Sequence, residues 1–133
     1  MMPRMSCAEL HAVQQQVRSP SAGFQAKGRL PVGTMNKTET AYAAYLETLR
    51  HAGEVLWWKF EGIKLRLAGN TFLTVDFAIL RKDQVLIMAD VKGSAAIFTD
   101  DAKVKMKVAA EAFPFVFVVV VPTKSGGWEE HLL

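Results

Sequence analysis

The sequence predicts an α/β fold, a mixed central sheet with flanking helices, on three observations. Two apolar runs, TFLTVDFAIL and VLIMADV, flank the polar break Arg81-Lys82-Asp83-Gln84 and read as one antiparallel β-hairpin over Thr71–Gly93. Helical periodicity precedes this hairpin over 36–52 and follows it over 100–113. Residues 115–121, FVFVVVV, are continuously apolar and β-branched, as suits an interior strand covered on both faces. Strand 85–92, helix 100–113 and strand 115–121 then form a crossover unit, expected to be right-handed with parallel strands.

At 133 residues the chain is about one domain with a single hydrophobic core. No apolar run reaches the roughly 18 residues of a membrane span, and no signal-peptide pattern opens the chain, so no membrane partner is expected. The single Cys7 has no internal disulfide partner, which suits a reducing cytoplasm. The net charge of +3 lies entirely in residues 1–34, where Arg4, Arg18, Lys27 and Arg29 stand against Glu9. Residues 35–133 carry twelve bases and twelve acids, so any nucleic-acid role must rest on local basic patches. The sequence contains no Gly-rich phosphate loop, zinc-ligand pattern, nucleophile elbow or internal repeat.

Residues 1–34 read as a flexible N-terminal extension ahead of a domain at 35–133. They are polar, broken by Ser19-Pro20 and Pro31-Val32-Gly33, and have one short helical stretch at Ala8–Val17. A basic arm tracking a phosphate backbone is the functional alternative. In the first long helix, Asn36 and Glu39 have capping-box spacing and Gly53 supplies the stop. Glu39 shares the stripe of Tyr42, Leu46 and Leu49, so it faces inward. Glu54–Ala68 reads as one or two strands broken at Glu61-Gly62, with Ile63, Leu65 and Leu67 alternating against Lys64 and Arg66. Trp57 and Trp58 either stack on unpaired bases or pack the helix against the sheet. Gly69-Asn70 turns into the central hairpin.

After a loop at Ser94–Thr99, Thr99 or Asp100 caps the second helix, with Val104, Val108, Ala109 and Ala112 as its packing stripe and Pro114 as its stop. Lys103, Lys105 and Lys107 are the densest basic cluster of the domain. They are either a solvated face or phosphate contacts that position DNA without reading its sequence. Trp128–Leu132 adds a short edge strand, and His131 is expected to be exposed.

The hairpin brings ionisable groups together. With its turn centred on Asp83, residues whose numbers sum to 166 face one another, and Asp76 lies opposite Asp90. Directly opposed strand residues hold their Cβ atoms roughly 4.5–5.5 Å apart, where like charges repel. Lys92 shares the face of Asp90, Met88 and Leu86. A hard divalent cation such as Mg²⁺ would resolve the repulsion and would suit phosphodiester hydrolysis, with Lys92 placing water or stabilising phosphoryl charge. The plain alternative has both aspartates as solvated strand ends, with Lys92 merely pairing with one of them.

Asp76 followed by Asp90-Val91-Lys92 resembles the PD-(D/E)xK nuclease signature. More narrowly, MNKTETAYAAYLETL, WWKFEGIKLRLA, TFLTVDF, ADVKG and DDAKVKMKVAAEAFPF resemble, in that order, small phage-encoded nucleases related to endonuclease I-type Holliday-junction resolvases. The resemblance implies a restriction-endonuclease-like fold and a Mg²⁺- or Mn²⁺-dependent endodeoxyribonuclease acting on DNA, branched DNA included, in a host or bacterial cytoplasm. It implies that Asp76, Asp90 and the Val91 carbonyl bind metal, that Lys92 orients or activates water, and that Glu39 joins the acidic cluster. Cutting two strands of a junction further implies a homodimer. Val75 stands where the motif has proline, and its side chain is expected to face away from the site. A catalytically silent DNA-binding or phage-assembly module with the same fold is the rival reading.

Overall fold

A computed structural model describes residues 33–93 and 100–133. The readings made for residues 1–32 and for the 94–99 loop lie outside the described residues. The elements are α1 (Lys37–His51), β1 (Val55–Phe60), β2 (Lys64–Ala68), β3 (Thr71–Thr74), β4 (Phe77–Arg81), β5 (Leu86–Val91), α2 (Asp100–Ala112), β6 (Val116–Pro122) and β7 (Trp128–Leu132). Five strands form a mixed sheet in the order β1-β4-β5-β6-β7. The β5–β6 pair is parallel and the other three pairs are antiparallel. The architecture is mixed α/β, with a helix packed on each face.

The capping box opens α1 as expected. Asn36 Oδ1 accepts from the Glu39 N–H at 2.8 Å, and Glu39 Oε1 accepts from the Asn36 N–H at 2.9 Å. Gly53, at φ +81°, closes the helix in a left-handed conformation that costs glycine little. Tyr42, Ala43 and Leu46 then pack on one face of the sheet, against Phe77, Ile79, Ile87, Ala89, Val91, Val118 and Val120. The opposite face carries Ala78, Met88 and Phe117 under Met106 and Ala109 of α2. This two-sided cover explains why β6 is apolar at every position, whereas the exposed edge strand β7 carries Glu129, Glu130 and His131.

The central hairpin has the expected register. Phe77 pairs with Ala89, Ala78 with Met88 and Ile79 with Ile87. Its loop is closed by two bonds between Arg81 and residues 84 and 85, both 3.0 Å, with Gln84 at φ +70°. The extent of the hairpin differs from expectation, because Thr71–Thr74 is not part of it. That segment pairs with β2 as a separate two-stranded ribbon, and Gly69-Asn70 is the turn of this ribbon. The single apolar run is divided at Val75-Asp76, where the chain leaves one sheet and enters another. Leu65, Leu67 and Leu73 of the ribbon pack toward α2 instead of extending the central sheet.

The packing stripe of α2 agrees at Ala109 and differs at Val104, Val108 and Ala112. Met106 and Ala109 are buried, while Val104 is 58 % and Val108 43 % exposed, and Ala112 is exposed as well. Both stripes satisfy helical spacing, and the inward one is selected by the sheet and ribbon surface that α2 must cover.

Candidate functional site

Asp76 occupies the junction between ribbon and sheet. Its neighbour Phe77 is fully buried among the rings of Tyr42, Trp58 and Phe60, with centroids 5.2, 5.8 and 5.3 Å away. Its own carbonyl accepts from the Glu61 N–H at 2.7 Å. Glu61 makes the turn after β1 at φ +48°. Aromatic packing on one side and a backbone bond on the other fix the Asp76 backbone.

The β4–β5 ladder ends at Phe77–Ala89, and Asp76, at a bend one residue beyond it, lies close enough to Asp90 for the two carboxyls to interact. Asp76 Oδ2 accepts from the Val91 N–H at 2.8 Å, so its carboxylate reaches across to β5. Burial comes first among the causes that push the Asp76 pKa up, to about 8. The charge of Asp90 and a hydrogen bond shared with that carboxyl add to the rise, the Val91 bond opposes it, and the charge of Glu39 contributes last.

Lys92 lies on the Asp90 side, with its ammonium 3.1 Å from Asp90 Oδ2 and both side chains largely covered. Asp90 Oδ2 is buried and, apart from this ion pair, has no hydrogen-bond partner among the described residues. The backbone of Lys92 is tied to β6 through its N–H to the Val120 carbonyl at 2.9 Å.

Asp76, Asp90, Val91 and Lys92 thus come together, with Glu39 within electrostatic reach of Asp76. Glu39 is buried and holds its helix cap, so the capping role is real; its charge also bears on Asp76. Lys103, Lys105 and Lys107 are exposed on α2, on an element separated from Lys92 by the 94–99 segment. Trp58 packs beside α1 and donates its indole N–H to Glu47 Oε2 at 2.9 Å, whereas Trp57 is 39 % exposed. His131 is exposed, as expected.

Val75 departs from expectation. It is buried in the cluster of Ala78 and Met88, on the α2 side of the sheet where alternation also puts Asp90. Strand alternation does not carry through residue 75, because β3 ends at Thr74. The contact that sequence reasoning missed is the Val91 N–H on Asp76, a diagonal interaction that pairing arithmetic between opposed residues does not reveal.

The donor types suit a hard cation: two carboxylates, one with a buried oxygen ion-paired to Lys92, and a backbone carbonyl. The N–H and C=O of a strand residue project to the same side, so the Val91 carbonyl lies on the Asp76 side. Among the described residues no three His, Cys, Asp or Glu side chains are grouped at metal-binding spacing. Mg²⁺ is commonly held by only one or two carboxylates, with waters and substrate phosphate completing its shell. No described helix is long and apolar enough to cross a membrane. In comparisons with known protein families and with curated proteins, nothing matches this chain.

Proposed function

We propose that this protein is a metal-dependent endodeoxyribonuclease of the PD-(D/E)xK type. The observation that carries the reading is Asp76 interacting with Asp90 and bonded to the Val91 N–H, with the buried Asp90 Oδ2 ion-paired to the Lys92 ammonium. A mixed five-stranded sheet between two helices is compatible with a restriction-endonuclease-like arrangement.

Asp76, Asp90 and the Val91 carbonyl would hold Mg²⁺ or Mn²⁺. When bound, such an ion polarises the phosphoryl oxygen and makes water a hydroxide source near neutral pH. The Lys92 ammonium, positioned by the Asp90 carboxylate, orients the attacking water or meets the negative charge that grows on the phosphoryl group. Glu39 completes the acidic cluster from the first turn of α1, where its cap bond to Asn36 holds the side chain in place. To hold the ion, Asp76 would have to be deprotonated, because a metal ligand carries no proton.

The resemblance to junction resolvases supports branched DNA as substrate, and a homodimer as the form that cuts two strands. The test is cleavage of a four-way junction, a matched linear duplex and a matched single strand, each with Mg²⁺, Mn²⁺ or EDTA. The proposal predicts cutting that requires the divalent ion and is fastest on the junction. A folded protein that binds these DNAs and cuts none of them would instead be the catalytically silent module. Sedimentation of the active species tests the dimer, which fails if a monomer cuts both strands.

A further inference from the structure

The β2–β3 ribbon has two unlike faces. Leu65 opposes Leu73 on the side turned to α2, whereas Arg66 opposes Phe72 and Lys64 opposes Thr74 on the other. Lys64, Arg66, Phe72 and Thr74 are all exposed, and residues 63–74 contain no acid, so this outward face carries two bases, an aromatic ring and a hydroxyl. Phe72 is 40 % exposed beside the two bases, while the leucines of the opposite side anchor the ribbon.

We propose that this face, Lys64, Arg66 and Phe72, binds the DNA strand that leads into the Asp76–Asp90 site. The two cations would take backbone phosphates and Phe72 would stack on an unpaired base. The inference rests on the nuclease reading for its substrate.

Three observations carry it. The first is charge complementarity: a strip with two bases and no acid fits a polyanion. The second is proximity along the chain, since Asp76 follows the end of β3 by two residues and the Glu61 N–H, three residues before β2, bonds the Asp76 carbonyl at 2.7 Å. Even at full strand rise, Phe72 lies at most roughly 13 Å from Asp76. That is about four steps of a nucleic-acid strand at 3.4 Å each.

The third is the state of the side chains themselves. Lys64 Nζ sits over the Phe72 ring, 4.6 Å from its centroid. An exposed cation–π contact is worth a factor of about 2 to 5, so the ammonium can leave the ring for a phosphate at little cost. The freed ring can take a base, a stack whose loss changes affinity by about 5- to 150-fold. Arg66 is already positioned, with Nε donating to the Ala68 carbonyl at 3.3 Å and Nη2 to the Gly69 carbonyl at 3.2 Å. Those bonds use two of its five donors.

The experiment measures DNA binding by the full chain in EDTA, where no cutting occurs, and cleavage separately in Mg²⁺. Wild type is compared with Lys64→Ala/Arg66→Ala, Phe72→Ala and Phe72→Trp, with circular dichroism and melting to show that each variant is folded. The double variant should bind single-stranded DNA about tenfold more weakly, with a salt slope reduced by about 1.4. Phe72→Ala should lose at least about fivefold on single-stranded DNA and less on duplex, and Phe72→Trp should restore it. Folded variants that bind like wild type with an unchanged salt slope would overturn the proposal, even if the enzyme cuts DNA normally. Ribbon-dependent binding without any metal-dependent cutting would leave the ribbon standing and sink the nuclease reading. A wild-type protein that binds none of the DNAs overturns both.

Discussion

At the scale of single residues the site turns on a carboxyl held near neutrality. An aspartate in an unfolded chain titrates near 3.9, whereas burial and the neighbouring Asp90 raise Asp76 to about 8. Between those values the folded protein keeps a proton that the unfolded chain releases. The stability linked to Asp76 is therefore fully present below about pH 4 and is lost as pH rises through about 8. In EDTA the melting temperature should fall from pH 5 to pH 8. Asp76→Asn, which keeps an acceptor for the Val91 N–H, should flatten that fall and melt several degrees higher at pH 8, about 1 kcal/mol being worth about 4–8 °C in a small domain. Parallel pH profiles for the two proteins would remove the buried-carboxyl argument. Mg²⁺ should recover part of the wild-type loss at pH 8 and bind more tightly as pH rises, with a proton released.

Glu39 separates two roles that coincide in one side chain. Glu39→Gln keeps an oxygen for the Asn36 N–H and removes a charge that bears weakly on Asp76. Its melting temperature should match wild type while DNA cleavage slows. If cleavage is unchanged, Glu39 is a cap and nothing more. Asn36→Ala removes the other half of the box and should cost about 0.5–2 kcal/mol, readable by urea unfolding.

At the scale of elements, α2 shows where periodicity alone is ambiguous. Val104, Val108 and Ala112 recur at helical intervals with Ala109, and so does Met106, and nothing local distinguishes the two choices. The surface that α2 covers selects Met106, which is 1 % exposed. Met106→Ala should cost about 2–5 kcal/mol in urea unfolding, whereas Val104→Ala should stay within about 0.5 kcal/mol. The reverse order would mean that α2 is rotated about its axis. The β3–β4 boundary was hidden for a related reason. Val75 and Asp76 are neither glycine nor proline, so TFLTVDFAIL reads as one strand although it serves two sheets.

At the scale of the whole molecule, long strongly patterned stretches were legible and tertiary choices were not. The register of Phe77 with Ala89 followed from a single turn centred on Asp83, and with it the closeness of Asp76 to Asp90. The capping box, the Gly53 stop, the parallel β5–β6 pair and the edge strand β7 followed from equally local signals. Partition into a central sheet and a ribbon depended on which surfaces α2 could cover, and the Val91–Asp76 bond on how the chain bends at residue 75; neither is written in a local pattern. These choices place the acidic pair where ribbon and sheet meet.

The most direct test of the central claim is single-turnover cleavage of a four-way junction by wild type and Lys92→Ala, with Mg²⁺ or EDTA and with binding measured separately in EDTA. A metal-dependent nuclease with Lys92 at its reacting centre predicts that wild type cuts only with Mg²⁺ and that Lys92→Ala binds the junction like wild type but cuts about 10²–10³-fold more slowly. Cutting by Lys92→Ala at the wild-type rate, or cutting by wild type in EDTA, would contradict it.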